Sequence, residues 1–347
     1  MSLVSHFDSN TEAENMSFTS PAAESVNWTY NETLEKIDIS LIISPINLFI
    51  SAIGIAGNSL VIWFLSFKIK RSPSTIYIFN LAIADVLFLL FVSGFHVFSI
   101  VFAIWSPFKQ QIKDKYLIQI FYTLIISCLC GYNTSLCLLT AISVERCISV
   151  LFPIWYRCKR PRHLSSIVCT VIWVISCLFS VLEVSFCYSL ALKHLYVHNT
   201  SANVKKCNVI FVIICCVSFM IFIPSMIVSS LLLLIRMWSS SQQHQHRKLY
   251  LVIAVTVIVF LVFAMPMRIL LLVWYKHHIM PPFPTTDLIS LFTSLNSSIN
   301  PFIYYLIGRQ GSGNGKLNLL TILQTVFRDD GSQIRRQQRN NVMESIM

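Results

Sequence analysis

Seven stretches of this chain are long and apolar enough to cross a lipid bilayer, and they limit the fold more than any other feature. They lie near 39–67, 75–104, 117–150, 164–190, 208–235, 249–275 and 287–307. A spanning helix needs roughly 20 predominantly apolar residues. Hydrocarbon offers the backbone no partners, so such stretches form helices and not open strands. The expected fold class is an all-α membrane protein: a seven-transmembrane helix bundle over 39–308. The seventh run is broken by Asn and Ser and is the least apolar. Charged residues make up 12% of the chain, against about a quarter in ordinary soluble domains. That argues against a soluble enzyme and against a nucleic-acid binder, whose basic residues would coat a soluble surface.

Seven spans place the termini on opposite sides. Of the Lys and Arg outside the spans, sixteen fall on the side opposite the N-terminus and eight on its own side. By the positive-inside rule the N-terminus is extracellular, and a plasma-membrane receptor or carrier is expected. Residues 1–38 form a polar extracellular tail with no signal peptide, so the first span directs insertion. Asn15, Asn27, Asn31 and Asn199 begin N-x-Ser/Thr sequons on the outer side and are the expected glycosylation sites. Asn133 and Asn296 match the same pattern inside spans, where the transferase cannot reach. On the cytoplasmic side, 309–347 is a tail. Leu319, Leu320, Leu323, Val326 and Phe327 give 315–328 the spacing of a short amphipathic helix lying on membrane lipid.

Polar side chains in hydrocarbon are costly and mark function. Counted at 1.5 Å per residue from the cytoplasmic ends of their spans, Asn58, Asp85, Ser135 and Asn296 lie roughly 15–17 Å deep. Ser297 adjoins them, and Asn300 is one turn nearer the cytoplasm. One carboxylate among hydroxyls and amides can hold an allosteric Na⁺, or the group can be a water-filled hydrogen-bond network. No other cofactor and no metal site is expected. His96 in span two stands alone and reads as packing or pocket wall.

Local patterns recur in a telling order. Gly57-Asn58 is in span one, Asn80-Leu81-Ala82-Ile83-Ala84-Asp85 in span two, and Glu145-Arg146-Cys147 closes span three, with Pro153 after it. Trp173, Pro224 and Pro266 mark spans four to six, and Asn300-Pro301-Phe302-Ile303-Tyr304 is in span seven. In this order and spacing they resemble rhodopsin-like (class A) G-protein-coupled receptors. Gly131-Tyr132-Asn133-Thr134, Thr140 to Cys147, Phe152 to Cys158 and Phe263 to Arg268 resemble the Mas-related receptor family, closest to the Mas branch.

The resemblance implies a receptor for an extracellular peptide or small, often cationic ligand that activates heterotrimeric G proteins. It implies a Cys187–Cys207 disulfide; two unpaired thiols are the alternative. Span three has no outer Cys to staple the second extracellular loop, so a wide, shallow outer cavity is expected. From their depth and charge, Glu183 and Asp287 are expected to receive ligand cations and Arg268 to meet a ligand carboxylate; the resemblance adds that Mas-related receptors use the acid matching Glu183 for cationic ligands. A Glu183–Arg268 pair, or satisfaction by water, stays open.

Glu145, Arg146 and Tyr304 form the expected G-protein switch, with Glu145 holding Arg146 at rest. The acid that usually stands at the base of span six is replaced by His246, Arg247 and Lys248, and Leu232 stands where span five often has Tyr. The resting lock is therefore weak, and basal activity is expected. Ala264 stands where class A receptors carry a Trp. The alternative class is a multi-span transporter or channel with an intramembrane cation site. A retinal pump is excluded because no Lys lies between Lys276 and Lys316. No enzymatic cluster appears.

Overall fold

The computed structural model describes residues 21–69, 72–105, 115–161, 163–185, 217–239 and 283–309, with residues 209 and 213 and parts of 255–269 between the last two segments. Every regular element among them is helical. We number these α1 (Pro21–Phe67), α2 (Pro73–Trp105), α3 (Lys115–Leu151), α4 (Pro153–Cys158), α5 (Leu164–Glu183), α6 (Ile223–Ser239) and α7 (Phe283–Arg309). Span six is helical at 255–259, 261–263, 265–266 and 269.

Four of these helices meet the length and hydropathy of a membrane span: Leu41–Phe67, Pro73–Val101, Gln119–Ser149 and Leu164–Glu183. They match the first four expected runs. The apolar stretch Met220–Ser229 enters α6, and α7 carries the Asn- and Ser-broken seventh run. The 315–328 segment lies outside the described residues. One boundary differs: α1 begins at Pro21, some eighteen residues before the apolar run. Hydropathy marks where hydrocarbon begins. It does not mark where a helix begins, and 21–38 contains no interior Pro or Gly to stop one.

Local chemistry explains several ends. The Thr75 N–H donates to Ser72 Oγ at 3.3 Å and the Ser72 N–H to Thr75 Oγ1 at 2.7 Å, a reciprocal cap with Pro73 in the first helical position. Pro153 opens α4 in the same position. A π-helical turn, Val217–Phe222, runs directly into α6. Pro224 lacks an N–H and crowds the carbonyl four residues back, and a wider turn accommodates both effects.

The packing is that of a membrane protein. Phe49, Phe67, Val174 and Met220 point outward, each more than three-fifths exposed, while Asn47, Ser51, Asp85, Ser143 and Ser294 are fully buried. Buried hydroxyls return to their own helix: Ser93 donates to Leu89 O, Thr140 to Leu136 O and Thr293 to Ile289 O. That local bond lets a Ser or Thr sit in hydrocarbon without a neighbour. The central helix is α3, which packs on α2, α5 and α6, while α1 lies against α2 and α7. Close approach relies on small residues. A Cβ on Gly131 would lie 2.9–3.0 Å from Phe88 Cβ, Cα and N, and a Cβ on Gly54 would collide with Ser298 Oγ.

Candidate ligand, ion and switch sites

Several of the mid-membrane polar residues meet at Asp85. Ser135 Oγ of α3 donates to Asp85 Oδ1 at 2.9 Å, and Asn300 Nδ2 of α7 donates to Asp85 Oδ2 at 2.8 Å. One acid thus ties three helices together. Asn58 belongs to an adjoining knot: its Nδ2 donates to Gly54 O and to Ser297 O, both at 3.0 Å. Asn296 is buried nearby in sequence. Asn58 Oδ1 and Ser294 Oγ are buried with no hydrogen-bond partner among the described residues. A water or a small cation would satisfy such oxygens. The oxygen-rich set of one carboxylate and several hydroxyls suits a hard monovalent ion. Next to it, Trp173 Nε1 donates to Asn80 Oδ1 at 3.1 Å, joining α5 to α2.

At the bundle end where α1 begins, Glu183 closes α5 at 2% exposure and Asp287 opens α7 at 6%. Arg268, Cys187, Cys207, Asn15 and Asn199 lie outside the described residues; Asn27 and Asn31 are on the α1 backbone. The structure corrects the reading of His96 as an isolated side chain. It is fully buried, with Nδ1 3.1 Å from Ser44 Oγ and 3.9 Å from Asp287 Oδ1. Its Nε2 is 2.9 Å from both Asn47 Nδ2 and Ser290 Oγ. In sequence these partners lie far from His96, which is why no local pattern exposed them.

At the opposite end Glu145 is bonded by two residues that follow α3; the Arg146 side chain lies outside the described residues. Tyr156 OH donates to Glu145 Oε1 at 2.7 Å, and Arg160 Nη2 lies 3.1 Å from Oε2. The Arg160 guanidinium also covers the Tyr156 ring at 4.9 Å and donates to Ser165 Oγ at 2.6 Å. The turn through α4 brings Tyr156 and Arg160 back under α3, so the connection between α3 and α5 holds the acid at the end of α3. Tyr304 is buried at 3% on α7.

Residues 57–304 match the family model described as 7 transmembrane receptor (rhodopsin family). The Mas proto-oncogene proteins of Rattus norvegicus and Homo sapiens are each 40% identical to this chain, over 86% and 84% of both sequences respectively. The Mas-related G-protein coupled receptor member H of Rattus norvegicus is 38% identical over 82% of this chain and 83% of its own. The chain is a Mas-related, rhodopsin-family receptor. It is thus a multi-pass membrane protein with the seven-transmembrane fold, and its family is one of receptors, not of enzymes. In this Mas-related chain the Asp85 knot, Glu183 and the α3 acid fall on three levels of one bundle. Counted depth puts Asp85 and Ser135 level and Asn300 one turn away, yet Asn300 also bonds the acid. The contact at the α3 acid was readable only in part, because Arg160 was one basic loop residue among several.

Proposed function

We propose that this Mas-related receptor sits in the plasma membrane with its N-terminus outside, takes an extracellular peptide or small cationic ligand, and activates heterotrimeric G proteins. The observation that carries the ligand reading is Glu183, an acid 2% exposed at the end of a membrane-spanning helix. Ionisable groups at such depth serve function. Glu183 and Asp287 receive ligand cations, and Arg268 meets a ligand carboxylate. A Cys187–Cys207 bridge holds the second extracellular loop toward spans four and five and leaves the cavity open above. Na⁺ bound at Asp85 with Ser135 and Ser297 stabilises the resting bundle. Arg146 and Tyr304 serve the G-protein side once span six moves outward.

The test is nucleotide exchange on a panel of purified heterotrimers, with the receptor in lipid discs and libraries of basic peptides, amines and nucleobases. The expected result is an agonist whose potency falls at least tenfold in Glu183→Gln or Arg268→Gln. An agonist indifferent to both removes the pocket assignment. A substrate-dependent flux with no G-protein response replaces the receptor mechanism with transport.

A further inference from the structure

Two thiols meet where α3 packs on α5. Cys130 Sγ lies 3.0 Å from Cys177 Sγ, and both are free thiols. The pair belongs neither to the Asp85 knot nor to the contacts around Glu145. Three residues further along each helix, Asn133 Nδ2 donates to Ser180 Oγ at 3.0 Å. That buried bond holds the same two helices together, so the sulfur contact is part of their packing. Cys177 is exposed and Cys130 half-buried. Among the other cysteines described inside spans, Cys128 and Cys137 are half-buried, and Cys147 and Cys169 are buried. Cys177 is thus the spanning thiol most open to the outside. Val174 and Val181, three residues before it and four after, are exposed on the same side of α5. Counted from Leu164, where α5 begins, Cys177 is about 20 Å from the inner end of its span. At that depth the outward side meets acyl chains.

We propose that Cys130 and Cys177 are a modification site for lipid peroxyl radicals, which close the two thiols into a disulfide between α3 and α5. A thiol in hydrocarbon is a poor nucleophile, because attack on a peroxide needs the thiolate. It remains a hydrogen-atom donor, since that transfer creates no charge. A peroxyl radical on a neighbouring acyl chain takes the hydrogen atom of Cys177 and becomes a lipid hydroperoxide. The thiyl radical that remains has the Cys130 sulfur 3.0 Å away. A second peroxyl radical takes the Cys130 hydrogen atom, and the two unpaired sulfur electrons become the S–S bond. Two thiols and two peroxyl radicals give one disulfide and two hydroperoxides, with no proton or electron left over. An isolated thiyl radical recovers a hydrogen atom from lipid; the second sulfur in contact is what directs this one to a bridge. A disulfide bond is about 2.05 Å long, so the sulfurs need to approach by about 1 Å. The bridge fastens α3 to α5 near Asn133 and Ser180 and closes residues 130–177 into a covalent loop.

The test uses the full receptor in discs of unsaturated phospholipid, in air. A lipid-soluble azo initiator supplies the peroxyl radicals, and mass spectrometry reads the unreduced proteolytic digest. The expected product is a linked pair of peptides carrying Cys130 and Cys177. It is lighter by two hydrogen atoms than the two thiol peptides together, and reductant separates it. Lipid peroxidation that leaves both thiols intact overturns the inference. So does Cys177 oxidised to sulfinic or sulfonic acid with Cys130 untouched, or Cys177 joined to a second receptor. Cys130→Ala and Cys177→Ser should each abolish the linked pair, and a variant that does not fold leaves the wild-type digest to decide. Fastening is read separately, as the unfolding midpoint of the oxidised receptor. That midpoint should rise by about 3 °C or more in the wild type, with no rise in Cys177→Ser, and fall back with a membrane-permeant reductant. A linked receptor with an unchanged midpoint overturns the fastening of α3 to α5.

Discussion

Asp85 and Glu145 are both acids on membrane-spanning helices, yet their partners give them different work. The donors on Asp85 are neutral: a hydroxyl and an amide, each within 3 Å. A carboxylate with only neutral donors around it, when ionised, favours a cation beside it. Thermal stability of the purified receptor should therefore rise when NaCl replaces the N-methylglucamine salt. The gain is about 1.4 kcal/mol at ten times the dissociation constant, and Asp85→Asn should show none. A potassium salt giving the same rise would sink the sodium assignment. Glu145 already has its cation in Arg160, with the two side chains 10% and 6% exposed. Removing one partner of a buried pair strands the other, at a cost of about 3 kcal/mol. Arg160→Ala should lower the unfolding midpoint sharply, and Glu145→Gln with Arg160→Met should recover most of the loss. Additive effects in that double-mutant cycle would mean that the pair is not coupled in the membrane.

Between helices, backbone approach decides more than side-chain attraction, because lipid is as apolar as Leu. Gly131 illustrates the point. The atoms nearest its absent Cβ include the Phe88 main chain, which cannot move aside. At Gly94 the neighbour is Leu124 Cδ2 at 3.1 Å, the free end of a flexible side chain. Gly131→Ala should thus cost about 1–3 kcal/mol, as overpacking does, while Gly94→Ala should be nearly neutral. Equal unfolding midpoints for the two variants would show that α2 and α3 are less closely packed than their contacts indicate. Element ends follow similar logic. Ser72 and Thr75 cap α2, and Pro153 starts α4, the short helix that carries Tyr156 and Arg160 to Glu145.

At the scale of the molecule, the uneven distribution of Lys and Arg predicts sidedness, and the sequons make it measurable. An epitope added at residue 1 should stain intact, unpermeabilised cells. Asn15→Gln, Asn27→Gln and Asn31→Gln should each remove one glycan step on a gel, down to the mass reached with glycosidase. A tag visible only after permeabilisation would invert the topology and move Glu183 and Asp287 to the cytoplasm. The bundle itself is inside-out relative to a soluble protein. Many of its Phe, Ile and Leu are exposed on the outside, and the interior mixes apolar side chains such as Leu81, Phe88, Leu89 and Leu138 with buried Ser, Asn and carboxylates.

What the chain determined unaided was what depends on position along a helix. Apolar length set the spans, basic loops set their expected direction, and residue counts put Asp85, Ser135 and Asn300 at compatible depths, where the structure joins them. Rotation and neighbour are different quantities. His96 reads as solitary because its partners Asn47 and Ser290 lie 49 and 194 residues away, on helices whose facing sides hydropathy does not reveal. Arg160 lies fifteen residues from Glu145, and the turn at Pro153 brings it to the acid. Depth is one-dimensional and was readable from the sequence. Which faces meet was settled only by packing the helices together.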